Sequence, residues 1–173
     1  MTKIDNKTIS LFVLVLILAF SRLIPHPPNF TPLLGMAVFA GAMFDKKVFA
    51  FLAPLAAMFL SDIIIGFHSG MPIIYVAIAI NVSIGTLLIN NFTYFKSFLA
   101  LISGSLAFFI ITNFAVWIGS GMYALDMNGL ISCYVMALPF FQNTLISTAL
   151  FGLGSFYLFN FFEQKILLLA KNS

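Results

Sequence analysis

Residues 130–162 read LISCYVMALPFFQNTLISTALFGLGSFYLFNFF, an apolar run broken by a single proline, Pro139. As one straight helix the run would reach about 50 Å, against roughly 30 Å of bilayer hydrocarbon. How it divides therefore sets the number of membrane crossings. Proline has no amide proton to donate and disfavours a helical residue before it, which makes Pro139 the natural break. The expected arrangement is a short surface or re-entrant helix over 130–138, then a crossing over 139–162.

The rest of the chain supports a membrane setting. It is 62% hydrophobic and 8% charged, with a mean hydropathy of +1.11. Soluble domains carry about 25% charged residues. So much apolar surface exceeds what one soluble core of 173 residues can hide, and the bilayer must serve as solvent. The net charge of +3 comes from scattered lysines, which is no nucleic-acid footprint. One cysteine excludes an internal disulfide and a cysteine-only metal cage. No internal repeat stands out, and the length suits a single integral membrane domain over 1–173.

Counting outward from the 139–162 crossing gives five more, over 9–24, 30–44, 48–66, 71–89 and 97–118. The expected fold is an all-α membrane protein of six transmembrane helices. The lysines test that count. With six crossings, one side receives the N-terminus, the turn at 45–47, the loop at 90–96 and the C-terminus. These segments hold Lys3, Lys7, Lys46, Lys47, Lys96, Lys165 and Lys171, every lysine in the chain. Positive residues mark the cytoplasmic side, so both termini are expected inside, at the inner (cytoplasmic) membrane. Reading 9–24 as a cleaved signal peptide is the alternative, but it would leave an odd number of crossings.

The outer loops differ in kind from the basic inner ones. PHPPNF (25–30), GFHSGMP (66–72) and GSGMYALDMNG (119–129) are rich in Pro or Gly. Placed by helical rise, Arg22, Asp62, Asn113, Gln142 and Asn143 all fall in the outer third, with Asn81 near mid-span as the exception. Charged groups at such depth are costly and face a cavity, the protein interior or one another. Their convergence at one depth points to an outward-facing pocket. Each also has a plainer reading. Arg22 could snorkel to lipid phosphates or pair with Asp62 or a ligand. Asp62 could serve a ligand or a structural ion pair. The amides could bind substrate or join helices. His26 and His68 are a weak metal signal, and no metal or cofactor is expected. Trp117, Tyr123 and Tyr134 suit an interfacial aromatic belt, and Cys133 a small buried hydrophobe.

Catalytic signatures are missing. The chain has no H-E-x-x-H, no G-x-S-x-G and no phosphate-cradling glycine loop, so no enzyme and no ATPase is expected.

NFTPLLGMAVFAGA (29–42), LSDIIIGFH (60–68), TNFAVW (112–117) and CYVMALPFFQNTL (133–145) together resemble a family of small, largely uncharacterised bacterial membrane proteins. That family is in turn similar to the substrate-binding S components of energy-coupling factor (ECF) vitamin transporters. The resemblance implies a six-helix protein that captures a vitamin-like nutrient near the outer face, under the loops joining crossings one to two, three to four and five to six. PHPPNF would then be a lid with Asn29 beneath it. His68 would come from the second loop, and Tyr123 and Asp126 from the third. Asp62, Asn113, Gln142 and Asn143 would form the floor, with Arg22 beside Asp62. One part of the pattern is missing. The first crossing has Ala19 but no alanine four residues away, so an ECF-type energising module would lack its Ala-x-x-x-Ala docking surface. Membrane lipid and a small-molecule substrate are the expected partners, and nucleic acid is not. The competing reading is a structural or assembly subunit whose polar residues bridge helices. An intramembrane enzyme built on Asp62 and His68 is a distant third.

Overall fold

The structure is a computed structural model, which describes Ile9, Val13, Leu16, Ile17 and residues 20–171, with side chains to Glu163. Among these residues lie a single 3-10 turn, Ser21–Leu23, and five α-helices, with no strand. The helices are α1 (Leu33–Met43), α2 (Lys47–Ile65), α3 (Met71–Leu88), α4 (Tyr94–Gly119) and α5 (Met127–Lys171).

The shortest helix is the centre. α1 reads LLGMAVFAGAM, with no polar face, and a helix that is apolar all round belongs inside. Every residue from Leu33 to Gly41 is buried, and α1 packs against each of the other four helices. Pro32 precedes it with φ already near the helical value. At its other end Lys47 Nζ donates to the carbonyls of Gly41 (3.1 Å) and Phe44 (3.2 Å), and Thr86 Oγ1 donates to Gly41 at 2.9 Å. A cation and a hydroxyl thus satisfy carbonyls that the helix itself leaves open and complement its dipole.

Packing around α1 depends on missing side chains. A Cβ at Gly41 would overlap the Val82 carbonyl of α3, and one at Gly85 would overlap the Val38 carbonyl of α1. The two contacts are reciprocal, so α1 and α3 cross backbone to backbone. A Cβ at Gly35 would stand 2.8 Å from the Gly152 nitrogen and the Thr148 carbonyl of α5. Small residues allow such approaches where the hydrophobic effect cannot drive helices together. Below the glycines, Phe39 meets Phe156 edge to face with ring centres 5.0 Å apart.

Four helices are long and apolar enough to cross a membrane: α2, α3, α4 and α5 over Met127–Glu163. Their outer faces carry Ile64, Leu87 and Phe95, each more than 60% exposed, as lipid-facing surfaces do. Two expectations change here, those for 30–44 and for Pro139, and the one for 9–24 is not tested. The 30–44 segment yields 11 helical residues, about 17 Å, too short to cross alone. Most of the 9–24 segment lies outside the described residues. The break at Pro139 is absent: α5 runs through it, and no separate helix precedes it. Contacts on either side hold it to α4. Tyr134 OH donates to the Ile110 carbonyl at 2.7 Å, and Cys133 Sγ to Asn113 at 3.4 Å. Phe109 packs between Tyr134 and Phe141, 5.4 and 4.6 Å between ring centres. Tertiary packing on α4 outweighs the one backbone hydrogen bond that proline removes.

Gly41→Ala and Gly85→Ala should each destabilise the protein by roughly 1–3 kcal/mol or more, read as a lower midpoint of thermal unfolding in detergent. Gly154→Ala, where a Cβ would meet nothing within 4 Å, should leave the midpoint unchanged.

Candidate functional site

The loops at 24–32, 66–70 and 120–126 share one end of the bundle, and those at 44–46 and 89–93 share the other. Lys46, Lys47 and Lys96 lie at the second end. The candidate site lies towards the first.

Its anchor is an ion pair. Asp62, one turn before the end of α2, is fully buried. Its Oδ1 accepts from Arg22 Nη1 at 2.5 Å, and its Oδ2 accepts from Tyr75 OH at 3.0 Å. Arg22 Nη1 also reaches Ser61 Oγ at 2.7 Å and Met58 Sδ at 3.1 Å. Ser61 Oγ in turn donates to the Met58 carbonyl at 2.8 Å. Both carboxylate oxygens are therefore occupied. A buried charge with its partners in place is tolerated where a bare one is not. The snorkelling alternative for Arg22 gives way to pairing, and the pair ties the 3-10 turn to α2 and, through Tyr75, to α3.

Beside the pair lies a cavity of about 170 Å3. Arg22 lines it from the 3-10 turn, His26, Asn29 and Thr31 from the proline loop, and Leu33 and Leu34 from the first turn of α1. Met58, Ile74 and Phe108 line it from α2, α3 and α4, and Thr144, Ser147 and Thr148 from α5. A second lobe of about 200 Å3 shares Asn29, Ile74, Phe108 and Thr144, and adds Thr112, Asn113 and aromatic rings of α4 and α5. Each lobe by itself is smaller than the about 300–1,000 Å3 of drug-sized ligand sites.

The loop is fastened over this space. Asn143 Nδ2 donates to the Pro28 carbonyl at 3.0 Å, and Ser147 Oγ reaches the Asn29 carbonyl at 3.4 Å. Asn29 adopts φ +60°, a left-handed conformation that asparagine tolerates better than most residues. Phe30 packs on Phe151 with ring centres 6.0 Å apart. Extended, proline-rich backbone thus finds its hydrogen-bond partners on α5.

Two buried side-chain atoms, Thr148 Oγ1 and Asn81 Oδ1, have no hydrogen-bond partner among the described residues. Thr148 borders the cavity but is 1% exposed, and Asn81 borders neither lobe. Buried hydroxyls are normally paired, and leaving one unpaired costs about 1–3 kcal/mol.

The expected residues divide three ways. Arg22, Asn29 and Asn113 line the cavity. Asp62 and Asn143 stand behind it, one holding Arg22 and the other the loop. His68, Tyr123 and Gln142 do not line it. His68 and Gln142 are exposed. Tyr123 lies in the 120–126 loop, which closes on itself: Trp117 Nε1 donates to Ala124, and Asp126 accepts from the Gly129 amide as a cap on α5. Asn81 is buried between α3 and α4, where Gly104 leaves room for its Oδ1. The sequence reading missed Thr144, Ser147 and Thr148. Their i, i+3, i+4 spacing in TLIST (144–148) puts three hydroxyls on one helix face and was the signal available. No group of three His, Cys, Asp or Glu among the described residues is placed to hold a metal.

Asp62→Asn should cost towards the lower end of the roughly 3–5 kcal/mol for breaking a buried pair, because Arg22 keeps some contact with solvent. The double replacement Arg22→Met/Asp62→Leu should cost well under the sum of its single replacements, read by unfolding of all variants in the same detergent.

No curated protein and no solved structure matches the chain. A family model does, over residues 2–170, nearly the whole length. The chain belongs to DUF6580, a family of unknown function.

Proposed function

We propose that the protein binds a small, vitamin-like nutrient for uptake across the cytoplasmic membrane, in the manner of an ECF transporter S component. The observation that carries this reading is the cavity at the loop end of the bundle, where Arg22, Asn29, Thr144 and Ser147 gather in an otherwise apolar protein. The polar residues around it come from separate parts of the chain, which is how binding sites rather than helix contacts are built.

On this reading the chain crosses six times with both termini in the cytoplasm. The second crossing is shared between the extended 24–32 stretch and α1, since backbone that is not helical is tolerated at membrane depth where protein satisfies it. Lys46, Lys47 and Lys96 at the far end support an outward-facing cavity by the positive-inside rule. The proline loop, held by Asn143 and Ser147, is the gate. Energy for uptake would come from a partner that docks elsewhere than on an Ala-x-x-x-Ala surface.

The assembly-subunit reading has one observation in its favour. Asp62, the most conspicuous polar residue, is fully engaged by Arg22 and Tyr75 and needs no ligand.

Native mass spectrometry of protein drawn gently from its own membranes distinguishes the two. The binding reading expects a stoichiometric non-lipid adduct, reduced in Ser147→Ala and in Asn143→Ala, which loosen the loop. A partner subunit with no adduct would favour assembly instead.

A further inference from the structure

Two short turns build the stretch that covers the cavity. The 3-10 turn ends with the Ile24 amide donating to the Ser21 carbonyl at 3.1 Å. A β-turn over 27–30 follows, closed by the Phe30 amide on the Pro27 carbonyl at 3.0 Å. Pro28 at its second position and the positive φ of Asn29 at its third suit a type II turn. Each turn has its own anchor. Arg22 ties the first to Asp62, and Asn143 and Ser147 hold the second by its Pro28 and Asn29 carbonyls.

His26 stands between the two turns, in the cavity wall. Its Nδ1 lies 2.9 Å from the Pro27 carbonyl and its Nε2 lies 3.2 Å from the Arg22 carbonyl. Both partners are acceptors. A neutral imidazole has a single N–H, so in either tautomer it would turn a lone pair on one of the two carbonyl oxygens. The imidazolium has two N–H groups and donates to both. Histidine gains that second proton between about pH 5 and pH 8.

Little else near the cavity changes charge in that range. Arg22 is the other charged side chain in the wall, and Asp62 pairs with it. Tyr75 reaches Asp62 from α3. α1, the 108–116 stretch of α4 and the 140–151 stretch of α5 carry no titratable side chain. His26 is exposed, so protons reach it without the loop opening.

We infer that His26 is a pH-sensitive clasp on the proline loop. Protonated, it joins the 3-10 turn to the β-turn and keeps the loop closed. On losing a proton it gives up one of the two carbonyls, and the loop loosens. The closed loop keeps a proton that the open one releases, so closure is favoured as pH falls and weakens as pH rises. On the binding reading above, capture is then tightest from a mildly acidic exterior. That consequence rests on the binding reading, whereas the clasp does not.

Hydrogen exchange of the 25–31 segment in lipid nanodiscs, corrected for the intrinsic pH dependence of exchange, reads the loop with no ligand present. Protection should be roughly three- to ten-fold greater at about pH 5.5 than at about pH 8, the worth of one hydrogen bond. Nitrogen-15 spectra of the His26 ring at the lower pH should show both nitrogens carrying protons. His26→Gln should abolish the pH dependence and His68→Gln should keep it, with both variants unfolding at the wild-type midpoint. Equal protection at the two pH values, a dependence that survives in His26→Gln, or one lost in His68→Gln would overturn the clasp. A pH-dependent loop on a protein that yields no adduct from its own membranes would support the clasp and count against the binding reading alone.

Discussion

The structure depends on the reciprocal contact between α1 and α3, where Gly41 lies on the Val82 carbonyl and Gly85 on the Val38 carbonyl. Two glycines bring the backbones together closely enough to bury an 11-residue helix on all sides. A helix that short gains little from its own hydrogen bonds. It persists because four longer helices enclose it. Its C-terminal end is closed by Lys47 and Thr86. Its N-terminal end, with no side-chain cap, becomes one wall of the cavity. The packing constraint and the candidate site are thus two ends of one element.

The Arg22–Asp62 pair works at a different level. It contributes less to net stability than its short distance suggests, since both charges lose water to form it. What it does fix is position. Arg22 is held at the cavity wall with its Nη1 committed to Asp62, Ser61 and Met58. Asn143 and Ser147 do the same for the proline loop by holding its carbonyls. Polar residues that looked like ligand contacts are in several cases the supports of those contacts.

Much of the fold was legible in the sequence because composition and periodicity act locally. The expected segments 48–66, 71–89 and 97–118 match α2, α3 and α4 to within a few residues. Pro139 misled because its effect on a lone helix is large, whereas here Tyr134, Cys133 and Phe109 pin both flanks to α4. The 30–44 segment misled because an apolar helix inside a bundle and one in lipid share a composition. In the site, Arg22, Asn29 and Asn113 were legible as polar groups out of place in lipid. Thr144, Ser147 and Thr148 were not, because hydroxyls in apolar helices commonly bond back to their own carbonyls, as Thr144 does. His68, Tyr123 and Gln142 show that belonging to the right loop or helix end does not bring a side chain to the cavity.

The central claim is that the cavity beside Arg22 holds a ligand. The most direct measurement is an experimental structure of protein purified from its own membranes without added ligands. The account predicts compact non-water density in the cavity, with a polar atom about 3 Å from the Arg22 guanidinium. A cavity closed by side chains, or filled by water alone, would contradict it.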